Sequence, residues 1–122
     1  MFSRREFFVT SGLAAAVPVF GAEPPSASAY GLIGQMKAAP GKRAELIAIL
    51  ARGTGAMPGC RSYIIAEDAG DADAIWITEV WDSKDAHAAS LSLEAVRAAI
   101  TQARPIIAGF GHRFETVPRA GL

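Results

Sequence analysis

The chain has 122 residues, 51% of them apolar, and its 12 Lys and Arg balance 12 Asp and Glu. That length holds one domain with a modest core, and the even charge, with no Lys or Arg cluster in the body of the chain, argues against a nucleic-acid binder or a polybasic membrane binder. Cys60, the single cysteine, excludes an intrachain disulfide and a Cys-based metal cage, and with His87 and His112 the only histidines no metal site can be nominated.

The N-terminus reads as an address. Met1-Phe-Ser-Arg-Arg-Glu-Phe-Phe8 precedes an alanine-rich apolar run from Val9 to Phe20, and Ala27-Ser28-Ala29 offers a small-x-small cleavage site. The run is about a dozen residues, too short for a bilayer span of roughly 20. Arg4-Arg5 before Phe7-Phe8 resembles the twin-arginine export motif. An ordinary secretory signal or an uncleaved anchor are the alternatives. Residues 1–29 are therefore expected to be an export signal, cut between 21 and 29, leaving a periplasmic or secreted protein with no stable membrane insertion. Residues 30–118 form the expected domain and 119–122 a tail.

Tyr30 to Lys37 is predicted as a strand, followed by a turn at Ala39-Pro40-Gly41. Lys42 to Arg52 carries Leu46, Ile47 and Leu50 at helical spacing, and Gly53 and Gly55 stop it. Met57-Pro58-Gly59 turns into a strand from Cys60 to Glu67. Asp68 to Asp73 has the composition of a hairpin loop, and Ala74 to Trp81 is the next strand. Asp82 or Ser83 can cap a short helix with Asp85 near the positive end of its dipole. After a break at Ser90 to Ser92, Leu93, Val96, Ile100 and Ala103 form the apolar stripe of a second helix, which Pro105 ends. Gly111 to Val117 alternates as a last strand. Strand, helix, strand, strand, helix, strand is the ferredoxin-like split βαβ arrangement of an α+β domain.

The third strand is apolar on both faces, with Ile75 and Ile77 on one and Trp76 and Val80 on the other. Two helices cover only one face of such a sheet. A second copy packed sheet to sheet is the simplest cover for the other, so a homodimer is expected.

Chemistry concentrates at Glu79-Val-Trp-Asp-Ser-Lys-Asp-Ala-His87, where a strand runs into a helix and brings a carboxylate, an indole and an imidazole together. With Lys37-Ala-Ala-Pro-Gly-Lys42 and Met57-Pro-Gly-Cys60, this segment resembles the antibiotic biosynthesis monooxygenase family over about residues 30–118. The resemblance implies a dimeric α+β barrel with a pocket between sheet and helices in each subunit. It also implies oxygenation of quinols or anthrone-like aromatics without metal or flavin. One branch of the family degrades haem, using an asparagine on the first strand and a histidine on the second long helix. Those positions are Gly34 and Ile100 here, so the resemblance does not extend to haem and no cofactor is expected. Trp81 matches a tryptophan common to both branches.

Triplet O2 reacts with a closed-shell molecule only if that molecule gives up an electron readily, as a deprotonated dihydroxy aromatic does. The protein then has to supply a base, a dry cavity and a group to hold the oxyanion. His87 is the natural base, its unperturbed pKa being about 6.5. Glu79 can steer the imidazole, Trp81 and Tyr63 can orient a ring, and Arg104 can hold the anion. Each has a plainer role: Trp81 and Tyr63 as core, His87 as a local packing or capping group, Glu79 in a structural ion pair, Arg104 at a helix C-terminus. Cys60 reads as a small buried side chain, and His112 has no assigned role. The expected function is oxygenation of a small quinol or polyphenol with O2. The alternative is a non-catalytic dimeric module that binds a hydrophobic ligand or a partner. An open apolar space around Tyr63, Trp81 and His87 favours the first; a filled one favours the second.

Overall fold

A computed structural model describes residues 28–121, and the export signal expected over 1–29, Arg4 and Arg5 included, lies almost wholly outside them. The elements are β1 (Tyr30–Ala38), α1 (Arg43–Gly53), β2 (Cys60–Glu67), β3 (Ala74–Trp81), α2 (Lys84–Ser90), α3 (Glu94–Ala103), a 3-10 turn (Arg104–Ile106) and β4 (Ile107–Thr116). The strands form one antiparallel sheet in the order β2-β3-β1-β4. This is the ferredoxin-like α+β arrangement.

Local chemistry sets the junctions. After β1, Pro40 fixes φ and Gly41 takes φ 79°, so Lys42 N–H can donate to Ala39 O at 2.9 Å and the chain reverses into α1. Ser83, in extended backbone, caps α2: its hydroxyl oxygen accepts the Ala86 N–H at 3.0 Å. Asp82, the other capping candidate, pairs instead with Arg61 at 2.6 Å. The turn before β2 is held against this junction, because Gly59 O accepts the Asp82 N–H at 2.8 Å. Only glycine fits there: φ is 82° and a Cβ would stand 2.8 Å from that of Ala86.

Most boundaries fall within a residue of expectation, and the larger departures are at β4 and α3. β4 begins at Ile107, not Gly111, because Ile107 pairs with Ala38 and Gly109 with Lys37 across two register shifts. Pairing with β1 overrides the loop-like Ala108-Gly109 composition. In α3 the residues buried deepest are Val96, Ala99 and Ala103, while Ile100 is half-buried and Leu93 precedes the helix.

The helices cover one face. There Leu46, Ile49 and Leu50 of α1 and Ala99 and Ala103 of α3 pack on Ala38, Ile75 and Ile77. A second, smaller cluster gathers Tyr30, Leu32 and Trp81 with Met57, Cys60 and Ala86. On the other face, register aligns Ile33 with Phe114 and Thr78, and Thr78 with Ile64. Ile64 is 56% and Phe114 53% exposed, an apolar surface that no helix of the described residues covers.

Candidate functional site

Strand alternation puts Glu79 on the helix-covered face between Ile77 and Trp81, with Leu32 of β1 and Tyr63 of β2 directly opposite. Trp81 is 1% exposed, and its indole N–H donates to Glu79 Oε1 at 2.8 Å. The cap at Ser83 starts α2 so that His87 falls one turn in and hangs over the sheet. Its Nε2 lies 3.8 Å from Glu79 Oε1. The imidazole stands edge-on to Trp81, ring centroids 5.5 Å apart, and tilted to Tyr30 at 5.3 Å. Tyr30 in turn donates its hydroxyl to Glu115 Oε2 at 2.6 Å, where Lys84 also pairs at 3.3 Å.

Burial governs the electrostatics. It raises the Glu79 carboxyl above its ordinary value, against the opposing pull of the Trp81 N–H and, after it, of His87 and Arg113. Burial also pushes up the Tyr63 phenol, with the Glu79 and Cys60 charges adding to it. Tyr63 therefore stays a neutral hydroxyl across the physiological range. The Cys60 thiol is raised by burial as well and is directed at Ser62 O at 3.6 Å, which makes it a poor nucleophile.

Two cavities flank this group. One, of about 300 Å³, is walled entirely by the sheet: Leu32 and Gly34 from β1, Ile77 and Glu79 from β3, Phe110 and Arg113 from β4. Its volume sits at the small end for ligand pockets. The position of Gly34 keeps it open, since a Cβ there would meet nothing within 4 Å. The other, of about 720 Å³, lies between α1 and β2, with Ile47 and Ala51 facing Tyr63 and Ile65.

The structure thus brings Glu79, Trp81 and His87 together, with Tyr63 next to Glu79. It does so in an order the sequence did not suggest: the carboxylate lines a cavity, and the imidazole lies behind it. Trp81 lines neither cavity; what it presents at the site is its N–H. Nor does His87 line either cavity; the open space begins at Glu79, and a further cavity of about 580 Å³ opens beyond His87 at Tyr30 and Lys84. Arg104 is exposed on the 3-10 turn and lines neither cavity. The cation that shares the Glu79 cavity is Arg113, which sequence reasoning passed over. Its one signal was the alternation of β4, which sets Arg113 and Glu115 on the same face, but only the pairing of Gly34 with Arg113 shows which face that is. The pocket the resemblance implied, between sheet and helices, corresponds to the Tyr63 cavity and not to the one at Glu79.

A family model described as antibiotic biosynthesis monooxygenase matches residues 29–102. Among solved structures, the chain is similar to a candidate antibiotic biosynthesis monooxygenase from Chloroflexus aurantiacus J-10-fl. The two are 58% identical, with 78% of this chain and 97% of that one covered at a TM-score of 0.76. It is also similar to a Mycobacterium tuberculosis protein at 22% identity, covering 76% and 97% of the two chains with a TM-score of 0.65. A candidate antibiotic biosynthesis monooxygenase from Caulobacter crescentus CB15 follows at 21% identity, 78% and 92% coverage and a TM-score of 0.62. The last two likenesses are of fold alone. No curated protein matches the chain.

Proposed function

The chain belongs to the antibiotic biosynthesis monooxygenase family, and from that premise we propose that it oxygenates a small quinol or polyphenol with O2 at the Glu79 cavity, without a cofactor. One observation carries this reading: a largely buried carboxylate, fixed by the Trp81 N–H at 2.8 Å, at the wall of a small, mainly apolar cavity. A carboxylate made more basic by burial takes a phenolic proton more readily than an exposed one. The resulting phenolate is electron-rich enough to pass an electron to O2. For hydroquinone the products are hydroxybenzoquinone and water. One oxygen atom forms a C–O bond at a ring carbon, two hydrogens leave with the other as water, and the ring supplies all four electrons. His87, behind Glu79, holds the carboxylate in place and offers it a second proton path.

O2 uptake with hydroquinone tests this. Glu79→Gln is expected to lower the rate about 100-fold, and His87→Ala by a smaller factor of about 10. No uptake across a panel of reduced aromatics, or a Glu79→Gln variant at the wild-type rate, sinks the proposal. The packing of Trp81 against His87, with no open space between them, favours a second reading: a module that binds a small hydrophobic ligand without turnover. Ligand binding with no O2 uptake would select it.

The same proposal includes a homodimer through the open sheet face and export by the twin-arginine route. For the dimer, the support is the exposed apolar surface around Ile64 and Phe114. Sedimentation should show a dimer that Phe114→Glu dissociates. For export, Arg4-Arg5→Lys-Lys should retain the precursor in the cytoplasm.

A further inference from the structure

Glu79 and Arg113 stand on the same cavity but not in contact. Register runs Leu32 opposite Glu79, and Gly34 opposite both Ile77 and Arg113, so β1 lies between the two charges. β3 and β4 are two strand spacings apart, about 10 Å. Among the described residues, His87 is the ion-pair neighbour of Glu79 within 4.0 Å, and no ion pair joins Glu79 to Arg113. Between their strands lie the apolar floor of Leu32 and Ile77 and the open place over Gly34; Gln35 and His112 also line the cavity, and Arg113 reaches the Tyr30 hydroxyl as well. Two opposite charges on one cavity that do not pair with each other match a small ligand with complementary groups at its two ends.

We propose that this cavity is selective for a small hydroxylated aromatic that also carries a carboxylate, the hydroxyl donating to Glu79 and the carboxylate accepting from the Arg113 guanidinium. Arg113 and Gly34 are then the specificity-determining residues, the first by charge and the second by leaving room for the ring. A guanidinium matches a carboxylate through two parallel hydrogen bonds, which a neutral ring substituent does not offer. Glu79 can only accept when ionised, so it selects a hydroxyl and repels a second carboxylate. A benzene ring with para substituents presents its hydroxyl and its carboxylate at opposite ends, as two charges carried on strands two spacings apart require.

The inference rests on the Glu79 cavity being the substrate site, but not on turnover. Binding to the mature protein is therefore measured anaerobically by calorimetry, with hydroquinone and with para-hydroxybenzoate, in which a carboxylate replaces the second hydroxyl. The hydroxybenzoate is expected to bind about tenfold more tightly or better. Arg113→Gln should bring the ratio of the two dissociation constants close to one, and Arg113→Lys should restore part of it. Gly34→Val should weaken both ligands, with its melting curve showing that it still folds. Equal affinities, a preference that survives Arg113→Gln, or no binding of either probe overturns the proposal. Selective binding without O2 uptake would leave it standing and remove the monooxygenase reading. Uptake with hydroquinone and no carboxylate preference would do the reverse.

Discussion

Two tryptophans on β3, five residues apart and on opposite faces of the sheet, make the same hydrogen bond with different consequences. Trp81 donates its indole N–H to Glu79 at 2.8 Å, and Trp76 donates to Asp68 Oδ2 at 2.7 Å. Yet the Glu79 carboxyl is raised and the Asp68 carboxyl lowered. Asp68 collects further donors, the Gln35 amide at 3.2 Å and the Gly70 N–H at 2.7 Å, and keeps contact with water. Glu79 has one close donor and is 11% exposed, so desolvation wins. One N–H bond does not decide how a carboxylate behaves; the number of donors set against the loss of water does. The Asp68 side is thereby a structural latch on the β2–β3 loop, and the Glu79 side is a desolvated carboxylate held at some cost.

The tryptophans themselves give the largest test of this contrast. Trp81→Ala removes a fully buried ring and should cost about 3–5 kcal/mol in urea unfolding. Trp81→Phe keeps most of the volume but strips Glu79 of its donor, for about 1–3 kcal/mol and a large loss of O2 uptake. Trp76→Phe leaves Asp68 its Gln35 and Gly70 donors and should cost clearly less. Equal penalties for the two Phe variants would remove the distinction between the faces.

Next in size is the sign of the pH dependence at Glu79. Its folded pKa is raised, so between the ordinary carboxylate value and that raised value the native state keeps a proton which the unfolded state releases. Stability therefore falls as pH rises through this window, and the whole cost is present above it. Glu79→Gln removes the charge and should be more stable than wild type at neutral pH by on the order of 1 kcal/mol. The gain should disappear on acidification below the ordinary carboxylate range. A variant that is active but no more stable, or stabilised equally at acid and neutral pH, contradicts the account of Glu79 as a buried, costly base.

Much of this was legible in the sequence, and the limit is a physical one. The apolar run after the Asp68–Asp73 loop marked β3 from Ala74 to Trp81, and a cap at Asp82 or Ser83 placed His87 near Glu79, because these depend on local chain geometry. The identity of the cavity wall does not. Gly34, Arg113 and Phe110 come from strands far apart in sequence, and their meeting depends on a β1–β4 register with two shifts, which no local pattern encodes. The same non-locality explains why Arg104 looked like the anion holder: proximity to the end of a helix is visible in sequence, and proximity across a sheet is not.

The smallest expected effect is at Asp68, and it should have the opposite sign. Hydrogen bonds, from Trp76 first and then Gly70, depress its folded pKa, so its contribution is complete above the ordinary carboxylate value and fades as pH falls through the depressed one. Asp68→Asn should therefore lower Tm slightly at neutral pH, and the deficit should close in acid, where Glu79→Gln loses its advantage too. The two variants bracket wild type at neutral pH and converge on it in acid only if the two faces treat their carboxylates in opposite ways. Melting curves of both variants across the acid range read this directly. An Asp68→Asn deficit that persists unchanged in acid would mean that the latch depends on the shape of the side chain and not on its charge.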